Sequence, residues 1–174
     1  AKDIEINKLQ RKIRKQIVAH LSFPGNVVNV PYCLVMMNLA KDAERLGDYA
    51  KNITEITDFR PKRFPEDDAI MELREIRRET EEVFAAASKV LEQRNRELAL
   101  QLIVSGRDVA HRCDALITRI AHSKYDAGTA TSVTLATRYY KRLGGHVINM
   151  LSSIVMPLHK VDYYDEDAVL PEED

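Results

Sequence analysis

The chain has 174 residues, 26 Lys and Arg against 27 Asp and Glu, no Trp, six Gly and six Pro. That length suits one or two compact domains, nucleic-acid binding would need a basic stripe stronger than the one at residues 11–15, and no run nears the roughly 18 apolar residues of a membrane span. Helix formers dominate and no alternating β-branched stretch reads as a strand, so the expected fold is all-α.

The charge is uneven. Residues 1–65 hold 12 Lys and Arg against 7 Asp and Glu, and the remainder 14 against 20. Much of the excess acid sits in Asp162 to Asp174, a run with seven acids and no base, ordinarily solvated. Cys33 and Cys113 lie far apart, each in an expected helix, which fits two reduced, buried thiols and a cytoplasmic setting better than a disulfide.

In chain order, Ile6, Leu9, Ile13, Ile17 and Leu21 step by three and four, an amphipathic helix with no start signal. Arg11, Lys12, Arg14 and Lys15 make its outer surface basic, either a solvated face or a docking patch for an acidic partner. Asp3 and Asn7 stand one turn apart on it. Ser22-Phe-Pro-Gly-Asn26 reads as a turn, and Pro31 opens a second helix running to about Thr57.

That second helix carries Val35, Leu39, Leu46 and Ile53 on one side and Glu44, Asp48 and Asn52 on the other. Asp42 falls inside the apolar stripe and needs a partner, with Asn38, Arg45 and Tyr49 the nearest candidates on its own helix. Residues 58–67, with Pro61 and Pro65, form a linker. A third helix opens at Glu66-Asp67-Asp68, its inward side read as Ile70, Leu73, Arg77, Thr80, Phe84, Ala87 and Leu91. Gln93-Arg-Asn95 turns into a fourth, carrying Leu98, Leu102, Val109, Cys113, Leu116 and Ile120. The fifth follows Asp126-Ala-Gly-Thr129 and runs to about Pro157, packed through Ala136, Tyr140, Leu143, Val147, Met150 and Ile154.

Glu44-Arg-Leu-Gly-Asp-Tyr-Ala-Lys-Asn52 aligns without a gap with Lys141-Arg-Leu-Gly-Gly-His-Val-Ile-Asn149. Arg, Leu, Gly and Asn coincide. A mid-helix Gly costs about 1 kcal/mol relative to Ala, so its recurrence at Gly47 and Gly144 suggests close approach of another helix backbone. Leu9 and Ile13 align with Leu116 and Ile120, and Asn7 with Asp114. The implied unit is three helices, and by this register roughly 40 residues of the first unit are expected upstream of Ala1. The expected organisation is a partial first repeat at 1–60, a linker at 61–67, a second repeat at 68–161 and the acidic tail at 162–174.

At these residues the sequence resembles the PhoU family, tandem three-helix bundles with a Glu-Arg-Ile-Gly-Asp-type signature that Glu44-Arg-Leu-Gly-Asp48 and Asn52-Ile53 nearly reproduce. The family's two acidic residues three spacers apart have their counterpart in Asp3-Ile-Glu-Ile-Asn7, with amide for acid at the second position. The resemblance extends to about Asp162. It implies an N-terminally truncated cytoplasmic regulator of phosphate uptake and phosphate-responsive signalling, working by contact with a phosphate transporter or a sensor kinase. It also admits a second reading, the cytosolic PhoU-like domain of a sodium/phosphate cotransporter.

The resemblance further implies metal binding through Glu44, Asp48, Asp3 and Asn7, an oxygen-only set that suits Fe, Mn or Mg better than zinc. The plainer alternative is a solvated acid face salted by Lys41 and Lys51. In the second unit Lys141, Gly145 and Ala110 replace Glu44, Asp48 and Asp3, so no second cluster is expected, and His146 reads as a packed or surface imidazole. No phosphate loop, zinc-type Cys/His spacing or nucleophile with a base points to an enzyme, and Asp108-x-x-His111 alone does not make a di-iron site. Apolar surface expected at Ile6, Leu9, Ile13, Leu39 and Leu46 points to a homo-oligomer.

Overall fold

A computed structural model describes residues 2–162, apart from the side chains of Lys2, Asp3 and Val27; residues 163–174, most of the acidic tail, lie outside the described residues. The described chain is all-helical, with five α-helices and no strand: α1 Lys2–Leu21, α2 Val30–Glu55, α3 Asp68–Gln93, α4 Arg96–Ala121 and α5 Ala127–Val155. No helix among the described residues is long and apolar enough to cross a membrane.

Local chemistry sets the boundaries. Pro31 sits in the first turn of α2, where its missing N–H costs nothing. Asp67, Asn95 and Asp126 cap α3, α4 and α5, each accepting backbone N–H bonds through its side chain. The turn between α3 and α4 passes through Arg94 in the left-handed region, φ 49°, where glycine is more usual.

Helices α3, α4 and α5 pack on one another, α2 packs along α5, and α1 packs on α2. Two apolar clusters fill the body, one around Val90, Ala99, Val147, Ile148 and Leu151, the other around Ile76, Cys113, Leu116 and Val133. Arg112 of α4 clamps α3 by donating to Glu72 and Glu79 at 2.7 and 2.8 Å, and these two carboxylates raise its pKa. Both cysteines are buried and free, and burial pushes the Cys113 thiol up to about 12.

Three readings of the sequence are corrected. The buried seam of α3 runs through Ile70, Ile76, Thr80, Val83, Ala87 and Val90, while Arg77 and Phe84 are exposed. Because α3 must face α4 and α5 together, its inward arc is rotated by about one residue from the stripe that Phe84 and Leu91 suggested. Neither duplicated glycine meets a backbone. A Cβ on Gly47 would lie 3.0 Å from Ile6 Cδ1 and one on Gly144 3.9 Å from Thr80 Cγ2, whereas on Gly106, which the repeat does not mark, it would lie 2.5 Å from buried Ile148. Thirdly, Asp42 finds its partner on another helix, as described below.

The α1–α2 pair is only half covered. An apolar groove of about 490 Å³ runs between Ile6, Leu9 and Ile13 of α1 and Leu46 and Gly47 of α2, with Phe84 of α3 at its edge. Leu9 is 58% exposed, while Ile6, Ile13, Leu39 and Leu46 are half-buried.

Candidate functional site

The acid pair lies on one face of α2, as its four-residue spacing requires. Glu44 and Asp48 are 19% and 33% exposed, and between them stands Arg45. Its Nη1 donates to Asp48 Oδ2 at 3.1 Å and its Nε lies 3.7 Å from Glu44 Oε2. The counter-charge is therefore Arg45 rather than Lys41 or Lys51, and Lys51 pairs one turn further on with Glu55.

Of the other two candidates, Asn7 is half-buried on α1, next to Ile6, whose side chain abuts Gly47 between the two acids. The side chain of Asp3 is outside the described residues. Among the described residues no group of three or more His, Cys, Asp and Glu could hold a metal ion. In kind, the oxygen donors of Glu44, Asp48 and Asn7 fit a hard cation. In charge, the pair is already served by a guanidinium that a metal would have to displace.

The positions that the sequence repeat aligns with Glu44 and Asn7 hold an ion pair. There Lys141 Nζ, at the place of Glu44, donates to both oxygens of Asp114, at the place of Asn7, at 2.6 and 2.5 Å. The two positions are within side-chain reach across their helices, and a covalently tethered ammonium supplies the cation.

A second constellation lies where α2 and α5 meet. Asp42, only 2% exposed, is 2.9 Å from His146 Nδ1 across 104 residues of sequence. The His146 ring stacks on Tyr49 at 5.6 Å and 21°, and Tyr49 in turn meets Tyr139 at 6.2 Å. The helices therefore run antiparallel, with residue 42 beside 146 and residue 49 beside 139. In the register of the repeat, Tyr49 and His146 are counterparts, as are Asp42 and Tyr139. Each helix thus offers its counterpart position to the other, and the crossing centres on the duplicated Arg-Leu, with Leu46 packed against the cluster that holds Leu143.

Sequence reasoning marked Asp42 as a carboxylate in need of a partner but placed that partner on its own helix. The repeat held the missing signal, since two like helices crossing about a shared centre exchange contacts. Asp162 adds to this corner. Its N–H donates to Ser152 Oγ at 3.2 Å, its Oδ1 is buried with no hydrogen-bond partner among the described residues, and burial first, then the charge of Asp42, raises its pKa.

Residues 1–57 match the family model of the PhoU domain. The match takes in α1 and α2 whole, including Glu44-Arg-Leu-Gly-Asp48 and the Asp3–Asn7 pair, and agrees with the resemblance carried by those residues. It covers a third of the chain, so PhoU likeness beyond residue 57 rests on the internal repeat. Comparison with curated proteins returned no significant match, and neither did comparison with solved structures.

Proposed function

We propose that this PhoU-like chain regulates phosphate transport and phosphate-responsive signalling through protein contacts, and that residues 68–161 are a second copy of the PhoU unit. The PhoU-domain match over residues 1–57 is the observation that carries this reading. Its contacts are with a phosphate transporter or the sensor kinase of the phosphate response, at the cytoplasmic side, and no bond is made or broken. A second copy of the chain associates through the apolar surface that α1 and α2 leave open. Fe, Mn or Mg bound by Glu44 and Asp48 with Asp3 and Asn7 tunes the first unit.

The test is orthophosphate uptake by source cells lacking the gene, with and without the natural protein restored. Uptake under phosphate repletion is expected to change on deletion and return on complementation. Uptake and phosphate-responsive transcription both unaltered by deletion would overturn the proposal. The cotransporter reading is separated by fractionating the natural protein: recovery in the integral membrane fraction favours it, and recovery in the soluble fraction favours the regulator.

A further inference from the structure

A second cavity, about 570 Å³, lies along the N-terminal half of α2. Val35, Met36 and Leu39 of α2 and Leu91 of α3 make its apolar wall, and Arg94 and Arg96, both exposed, stand at its rim. Neither guanidinium has an ion-pair partner among the described residues, although Glu92 and Glu97 are near in sequence. The α3–α4 turn that carries the two arginines holds Arg94 at positive φ, so its backbone direction is fixed by the helix cap.

The chain passes close to this groove as it leaves the described fold. Val161 is buried, and Asp162 is tied to Ser152, whose neighbours Ser153 and Ile154 line the cavity. From the Asp42 corner, Leu39 is about one helical turn away along α2 and Val35 about two, some 5 to 10 Å. Residues 163–169 could span about 23 Å if extended.

The composition of those last residues answers the groove. Asp165-Glu-Asp167 and Glu172-Glu-Asp174 flank Ala168-Val-Leu170, an apolar triplet between two acidic ones, with no base in the segment. We propose that residues 163–174 of this same chain dock in the groove, with Val169 and Leu170 against Val35, Met36 and Leu39 and the flanking acids against Arg94 and Arg96. The apolar anchor supplies affinity and the paired charges set the direction of entry. An acidic partner segment of similar pattern would have to displace the tail to reach the same surface.

The experiment uses the full chain carrying Glu172→Cys and a nitroxide on the introduced thiol; Cys33 and Cys113 are buried and stay unlabelled. Amide and methyl NMR signals of Val35, Met36, Leu39 and Arg94 are expected to lose most of their intensity and regain it when the nitroxide is reduced. Arg94→Glu with Arg96→Glu, or Val169→Asp with Leu170→Asp, is expected to abolish that loss, as is high salt for the charge-dependent part. Loss centred on Arg11, Lys12, Arg14 and Lys15 of α1, or no localised loss, would overturn the proposal. So would a loss seen only between isotopically distinct molecules in a mixed sample, which would assign the groove to a second copy's tail.

Discussion

Removing His146 should destabilise the chain more than removing Asp42, although both variants delete the same hydrogen bond. His146→Ala strands a carboxylate that is 2% exposed, whereas Asp42→Ala leaves an imidazole that is 18% exposed and can still reach water. Stranding a buried, unpartnered carboxylate costs about 3 kcal/mol, and losing one hydrogen bond with partial rehydration costs about 1 kcal/mol. The stacking of His146 on Tyr49 adds about 0.5–1 kcal/mol to the histidine variant, and His146→Phe, which keeps a ring there, separates that part. Urea unfolding of both single variants and the double Asp42→Ala/His146→Ala, followed by far-UV circular dichroism, gives the cycle. The double variant is expected to fall short of the summed losses by about 1–3 kcal/mol. Equal single losses, a larger loss for Asp42→Ala, or additivity would refute the argument that this pair seals α2 to α5.

Three further outcomes follow from the geometry. Gly144→Ala, with only ordinary contact at 3.9 Å, should stabilise α5 by about 0.5–1 kcal/mol, while Gly106→Ala, forced against buried Ile148, should cost about 1–2 kcal/mol; thermal unfolding checks the opposite signs. Asp67→Ala should cost about 1–2 kcal/mol at neutral pH by uncapping α3 and releasing Tyr125. The Tyr125 hydrogen bond, with the helix N–H groups behind it, lowers the folded-state pKa of Asp67 below 3.8, so its contribution is present above that value and is lost as pH falls through the depressed pKa. The gap between wild type and Asp67→Ala should therefore close in acid, as unfolding curves across that range will show. If metal binds the first unit, Arg45→Ala should raise its affinity for Mn(II) and Glu44→Gln with Asp48→Asn should abolish it, measured by titration calorimetry; equal affinities in all forms would count against the site.

What the sequence made legible was local. Helix starts near Asp67 and Asn95 could be read because an N-cap is satisfied within three residues, whereas Asp126-Ala-Gly-Thr129, read as a connection, is the cap and first turn of α5. The Glu44/Asp48 pair was legible for the same reason, as helical spacing alone puts both acids on one face. Non-local facts were less accessible. Nothing near Asp42 could reveal His146, 104 residues away, and nothing in the α3 pattern could say that Val83 rather than Phe84 faces inward until α4 and α5 were both in place. The guanidinium of Arg45 was visible in the sequence but not its rotamer, which decides whether the acids face an arginine or a cation.

The PhoU match ends at residue 57, so the account depends most on the second half being a copy of the first, crossing it antiparallel about the shared Arg-Leu. A two-dimensional NOE spectrum of the aromatic protons, with Tyr and His assigned by substitution, tests this directly. Cross-peaks are expected from the Tyr49 ring to both the His146 and Tyr139 rings, at centroid separations of 5.6 and 6.2 Å. A Tyr49 ring showing neither, in a chain whose far-UV circular dichroism remains that of a helical fold, would contradict it.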